Sequence, residues 1–195
     1  MFKRKRESLI PVLGFLFIIL VGAIILYLPC STIGTANFID TLFTSTSATT
    51  TTGFSLNDIS TKYTTFGKII IAILMNIGAV GFISLIVVIV KLKNRRISPS
   101  NMKVINDSIS DDNYLNLKDE VFNIVKYVAI IEIIGAFLLA IKFIPEYGMI
   151  KGIGYSLFHS ISAFSNTGFD LLGENGFIKY NKDIYIRLVI IMLMI

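Results

Sequence analysis

Two short stretches hold the residues whose types and spacing could handle a cation. Residues 42–56 read LFTSTSATTTTGFSL and residues 157–171 read LFHSISAFSNTGFDL. Nine of the fifteen positions coincide at a shift of 115 residues, where unrelated segments would agree at roughly one. Each copy is rich in small side chains, nearly free of charge, and carries one glycine, Gly53 or Gly168. A cation crossing a membrane must exchange its hydration shell for oxygen atoms, and rings of backbone carbonyls supply them. Turning carbonyls to one side of an extended chain often requires positive φ, which glycine adopts without strain. The candidate filter residues are therefore Thr50, Thr51, Thr52 and Gly53 in the first copy, and Ser165, Asn166, Thr167 and Gly168 in the second. Residues 43–49 and 158–164 are expected to form pore helices, their carboxyl ends aiming the negative end of the helix dipole at the ion. One strand cannot encircle an ion. Four are expected around an axis, and this chain holds two.

Such loops need membrane-spanning helices to hold them, and the chain supplies candidates. It has 195 residues, 54% hydrophobic and only 16% charged, where a soluble domain carries about a quarter charged. Mean hydropathy is +0.74. Residues 9–28 and 69–90 are uncharged runs long enough to match the roughly 30 Å hydrocarbon core. Residues 121–143 form a third candidate, interrupted by Lys126, Glu132 and Lys142, and 184–195 start a fourth. Twelve helical residues rise about 18 Å, too little to cross, so the sequence reads as ending inside a span. Residues 9–28, behind basic Lys3–Arg6, are longer than a signal-peptide core, and no small-residue cleavage site follows. A retained anchor is expected.

Lys3, Arg4, Lys5 and Arg6 precede the first span; Lys91, Lys93, Arg95, Arg96 and Lys103 follow the second. The positive-inside rule places both clusters, and the N-terminus, on the cytoplasmic face. The net charge of +5 is then a topology signal, and nucleic-acid binding is not expected, since aromatics do not interleave the basic residues. Residues 29–68 fall on the outer side. Taken alone, their Ser/Thr-rich stretch is as consistent with an ordinary loop as with a segment dipping into the membrane. The recurrence favours the second, because non-helical backbone at membrane depth needs protein or a water-filled cavity around it. The fold expected is an all-α membrane protein of repeated helix–re-entrant loop–helix units: a complete repeat over 1–91, a cytoplasmic linker over 92–118 with a short helix around 102–109, and a truncated second repeat over 119–195.

Several single residues carry two readings. Asp58 and Asp170 lie just beyond the two filters, either as pore-mouth carboxylates that concentrate cations or as loop caps. Glu132, in mid-span, is either a site contact or partner for a basic group elsewhere, or a carboxyl bonded to a neighbouring helix. Asn76, Gly78 and Gly81 favour close helix packing, with Asn76 bonding across helices or to a loop backbone. His159 lacks companion ligands, so a packing hydrogen bond is expected rather than a metal. Cys30, the only cysteine, cannot form an internal disulfide.

The SAxTxTGF-like first loop, the FHSISAFSNTGFDL second loop, Asp40, and the Asn76-Ile77-Gly78-Ala79-Val80-Gly81 stretch are similar to the Trk/Ktr/HKT superfamily of potassium transporters, and especially to the Ktr membrane subunit. The likeness extends over essentially the whole chain. It implies four helix–loop–helix repeats in one polypeptide, inward K+ movement that is Na+-dependent in many Ktr systems, a homodimer, and a cytoplasmic ring of nucleotide-binding regulatory subunits. It also implies that a glycine in the first loop, here Gly53, favours K+, where serine in some plant members favours Na+. Thr49 and Thr51 depart from the pattern, standing where apolar residues are common. No resident cofactor is implied. The rival readings are a non-transporting membrane subunit, an inactive fragment of a transporter, and a membrane enzyme. The last has little support: HExxH, CxxC and nucleophile–base patterns are missing from the sequence.

Overall fold

A computed structural model describes residues 2–81, 117–173 and 176–195. Helices make up its regular structure: α1 (Phe2–Tyr27), α2 (Phe38–Thr49), the single turn α3 (Ile59–Lys62), α4 (Thr65–Val80), α5 (Leu117–Tyr147), α6 (Met149–Phe164), a 3-10 turn (Gly176–Tyr180) and α7 (Ile184–Met194). Among the described residues there is no β-strand, only an isolated antiparallel bridge between Thr32 and Tyr63. The expected linker helix at 102–109, the second half of the 69–90 span and the basic cluster after it lie outside the described residues.

Caps set several helix boundaries. Asn37 accepts from the Ile39 N–H at 3.1 Å and starts α2. The Thr64 hydroxyl accepts from Gly67 N–H at the head of α4, and Asp183 accepts from Tyr185 and Ile186 at the head of α7. Each satisfies a backbone donor that a helix start leaves without a partner. Gly148, at φ +81, turns the chain between α5 and α6. These breaks correct the sequence reading of the pore helices. They begin at Phe38 and Met149, not at 43 and 158, because Asn37 and Gly148 supply the start signals. The third span also runs longer than read, through Pro145 to Tyr147. Pro145 lacks the N–H that would bond the carbonyl four residues back, so it costs the helix one backbone hydrogen bond near its end.

Helices α1, α2 and α4 pack together, as do α5, α6 and α7. The two groups use one device at their crossings. Ser45 Oγ on α2 donates to Ile19 O of α1 at 2.8 Å, and Ser160 Oγ on α6 donates to Glu132 O of α5 at 2.7 Å. A Cβ on Gly22 would stand 2.5 Å from Ser45 Oγ, and one on Gly135 the same distance from Ser160 Oγ. Glycine there lets each outer helix approach its loop helix. One core joins Leu26, Ala48, Ile71, Leu74 and Met75 to Phe158 and Phe169, so the groups share buried surface. A second gathers Leu139, Phe143, Ala163, Ile186, Val189 and Leu193.

Outward faces are apolar. Phe17 is 66% exposed and Phe137 69%. Within α5, Phe122–Tyr147 is long and apolar enough to cross a membrane; Val12–Tyr27, Thr65–Val80 and Ile184–Met194 are shorter apolar helices.

Candidate functional site

Helices α2 and α6 each deliver their chain into a Gly-centred loop, and the loops have matching backbone hydrogen bonds. Thr50 N donates to Thr46 O (2.8 Å), Thr51 N to Ala48 O (3.2 Å) and Thr52 N to Ser47 O (2.9 Å). At the same offset of 115, Ser165 N donates to Ile161 O (2.9 Å), Asn166 N to Ala163 O (3.0 Å) and Thr167 N to Ser162 O (3.0 Å). The hydroxyls of Thr50 and Thr52 lie 2.7 Å apart, as do those of Ser165 and Thr167. Positive φ recurs in register: 51° at Thr51 and 54° at Asn166, then 81° at Gly53 and 80° at Gly168.

The backbone differs from the extended strand expected from sequence. The first two residues of each candidate set close the helix in a tight turn, and the chain leaves that turn only at Thr52 and Thr167. Left-handed backbone at a threonine is uncommon and costs roughly 1–3 kcal/mol. Asn166 tolerates it better than Thr51 does. The sequence reading missed this feature, though an asparagine two residues before a glycine was a usable signal.

The loops also meet. A Cβ on Gly53 would fall 1.7 Å from the Thr167 carbonyl oxygen, whereas one on Gly168 would find nothing within 4 Å. Gly53 is thus required by φ and by close approach, Gly168 by φ alone. The eight candidate residues therefore form two matched segments, each a tight turn and the chain leaving it, that touch at Gly53 and Thr167.

The threonine richness of the first copy has a local explanation. Thr44, Thr46, Thr49 and Thr50 return their hydroxyls to the carbonyls of Asp40, Leu42, Ser45 and Thr46 at 2.7–2.9 Å. The donors are satisfied within the helix, so burial costs little. Thr44 additionally accepts from the Tyr63 hydroxyl at 3.0 Å. His159, its counterpart in the second copy, makes packing bonds. Leu171 N–H donates to Nε2 at 3.1 Å, which leaves the proton on Nδ1 to be donated to Tyr155 O at 2.6 Å.

Asp58 caps α3, accepting from Ser60 N (2.7 Å) and Ser60 Oγ (2.8 Å), and it is exposed. Asp170 is half-buried and accepts from Leu172 N at 2.9 Å. Burial holds its carboxyl above the ordinary aspartate range; the Leu172 N–H opposes this and the nearby Asp58 charge reinforces it. Asp40 accepts from Asn57 Nδ2 at 3.1 Å and so ties the start of α2 to the chain beyond the first loop.

Glu132 bonds a neighbouring helix: its Oε2 accepts from Asn76 Nδ2 of α4 at 3.1 Å, across the two groups. Gly78 belongs to close packing, since a Cβ there would lie 2.3 Å from Thr49 O. Among the described residues no group of three or more His, Cys, Asp or Glu is placed to hold a metal.

The chain belongs to the TrkH family of cation transport proteins, which matches residues 12–195. It is 37% identical over 183 residues to the Ktr system potassium uptake protein B of Bacillus subtilis (strain 168), covering 94% of this chain and 41% of that one. It is 35% identical over 199 residues to the potassium/sodium uptake protein NtpJ of Enterococcus hirae, covering 99% and 44%. It is also 35% identical over 169 residues to the Ktr system potassium uptake protein B of Vibrio alginolyticus, covering 87% and 37%. The chain therefore spans less than half the length of these relatives.

Proposed function

We propose that this chain forms part of a K+-uptake protein of the plasma membrane, and that its two Gly-centred loops contribute two of the four segments of a selectivity filter. The observation that carries the reading is the meeting of two matched turns, Gly53 lying against the carbonyl of Thr167. Carbonyls of Thr50–Gly53 and Ser165–Gly168 would replace the hydration shell of K+, transported cargo rather than a bound cofactor. Two loop segments leave the ring open, and the greater length of the relatives gives room for two more. Helices α2 and α6 would be re-entrant, their carboxyl ends facing the ion. Asp58 and Asp170 would stand at the outer mouth, with the N-terminus in the cytoplasm.

Apolar outward faces on α1 and α5 suit a lipid surround. Membership of a "Ktr system", in the names of relatives, accords with a second component. The family likeness extends the proposal to a homodimer on a cytoplasmic nucleotide-binding ring, with Na+ as coupling ion.

The test is K+ uptake in a K+-uptake-deficient bacterial strain, comparing the full-length protein with Gly53→Asp and Gly168→Asp. Lost uptake or altered K+ over Na+ preference in both variants, at normal membrane levels, is expected. Unchanged uptake in both would remove these loops from the pore.

A further inference from the structure

Between α4 and α6 runs a groove of about 770 Å³, within the size range of roughly 300–1,000 Å³ common for ligand clefts. Its walls are apolar, with Ile69 and Ile73 from α4 facing Phe158 and Ile161 from α6. Lys68 and Lys151 stand on its rim, each in the first turn of its own helix. The groove follows α4 down to Val80, a rise of roughly 18 Å from Lys68 at 1.5 Å per residue. One leaflet of a bilayer core is about 15 Å deep.

We propose that this groove seats one phospholipid with an anionic headgroup, its acyl chain along α4 and its phosphate between Lys68 and Lys151. The proposal rests on the membrane location argued above, but not on the filter. Charge selects the occupant. Lys68 Nζ donates to Ser60 O at 2.6 Å, yet among the described residues neither lysine has a carboxylate in ion-pair contact. Burial disfavours the charge of Lys68; Asp58 partly offsets this, and Lys151 is near enough to add to the penalty. An anion between the two lysines would relieve that repulsion. An apolar helix laid in the groove would instead bury both charges uncompensated, which is costly. The groove also opens onto lipid-like surface, with Ile69 52% and Ile150 89% exposed. Gly154 marks free space in its wall, because a Cβ there would meet nothing within 4 Å.

Native mass spectrometry of the purified full-length protein, titrated with phosphatidylglycerol and in parallel with phosphatidylcholine, tests this. Phosphatidylglycerol should bind the tighter of the two. Lys68→Gln with Lys151→Gln should weaken it about 30-fold and leave phosphatidylcholine unchanged. Gly154→Phe, which fills the groove without touching a lysine, should weaken both lipids. Equal affinity for the two lipids, or a double variant that behaves as wild type, would overturn the proposal. So would binding indifferent to Gly154→Phe, which would mean the rest of the protein covers the groove. K+ uptake by the same variants is a separate readout. A failure of the filter glycines there would strike the transport reading and leave the lipid result standing.

Discussion

The two Gly-centred loops share a backbone and differ in what holds it. Hydrogen bonds at both helix ends, the paired hydroxyls and the two positive φ values repeat at an offset of 115 residues. Around them the copies diverge. Phe169 is 3% exposed and Phe54 68%. Ser162 Oγ donates to Phe169 O at 2.7 Å and draws that residue inward. Among the described residues its counterpart, Ser47 Oγ, is buried without a partner. His159 fastens the second copy to the chain beyond its own loop, through Leu171, whereas Thr44 is fastened from Tyr63. Side chains thus tie each copy to the chain beyond its own loop, the first through Asn57 and Tyr63 and the second through Phe169 and Leu171, but of the two glycines only Gly53 also lies against the other loop. Backbone geometry is the part the two copies hold in common, as expected if carbonyls rather than side chains face the ion.

That difference makes the glycines unequal. Placing a side chain at positive φ costs about 1–2 kcal/mol, so Gly168→Ala should slow K+ uptake by the full-length protein roughly 5–30-fold. Gly53→Ala adds an overlap with the Thr167 backbone that no rotamer relieves, and it should cost more, to near-complete loss. Uptake rates at matched membrane levels decide the order. Equal effects, or a larger one at Gly168, would mean the contact between the loops does not matter to transport.

Much of this was legible in the sequence because the repeated segment encodes local backbone. Two glycines at fixed offset announced two positive-φ sites, and the apolar runs over 9–28 and 121–143 announced α1 and α5. What was not legible depends on distant partners. Nothing in the spacing of Gly53 and Gly168 told which one abuts the other loop. Glu132 read as a costly mid-span charge, and its partner Asn76 is 56 residues away. The offset of 115 that aligns the loops becomes 113 between Gly22 and Gly135, so the glycine–serine crossings fell out of register with the motif. The starts of α2 and α6 were misplaced because Asn37 and Gly148 act through caps and turns, which apolar patterning does not register.

A smaller effect sharpens the same contrast. Ser162→Ala removes a buried hydrogen bond to Phe169 O and should lower thermal stability by about 1 kcal/mol. Ser47→Ala removes a hydroxyl that has no partner and should fall within about 0.5 kcal/mol of wild type. Thermal unfolding of the two purified full-length variants measures both. Matching losses would show that Ser47 finds an acceptor in the complete protein.

The smallest expected effect concerns the exits of the loops. Asp170 follows Phe169 directly in the second copy, where the first has Ser55 and carries its carboxylate three residues later at Asp58. Its folded-state pKa is raised, chiefly by burial, against the Leu172 N–H and with Asp58. As outside pH falls it takes a proton before an ordinary aspartate does, and the pore mouth proposed above would lose a negative charge. Half-saturating K+ for uptake should then rise about 2–5-fold through that window. In Asp170→Asn it should be already raised at neutral pH and flat as pH falls. Stability moves the opposite way. The folded protein binds this proton more tightly than the unfolded chain does, so the contribution of Asp170 to stability grows as pH drops through the raised value and is complete below the unfolded value. K+ affinity that falls while thermal stability rises, both abolished by Asp170→Asn, identifies the carboxylate at the mouth. A pH response of uptake that survives the substitution assigns it elsewhere and leaves Asp170 as a loop cap, the role Asp58 already fills on the other side.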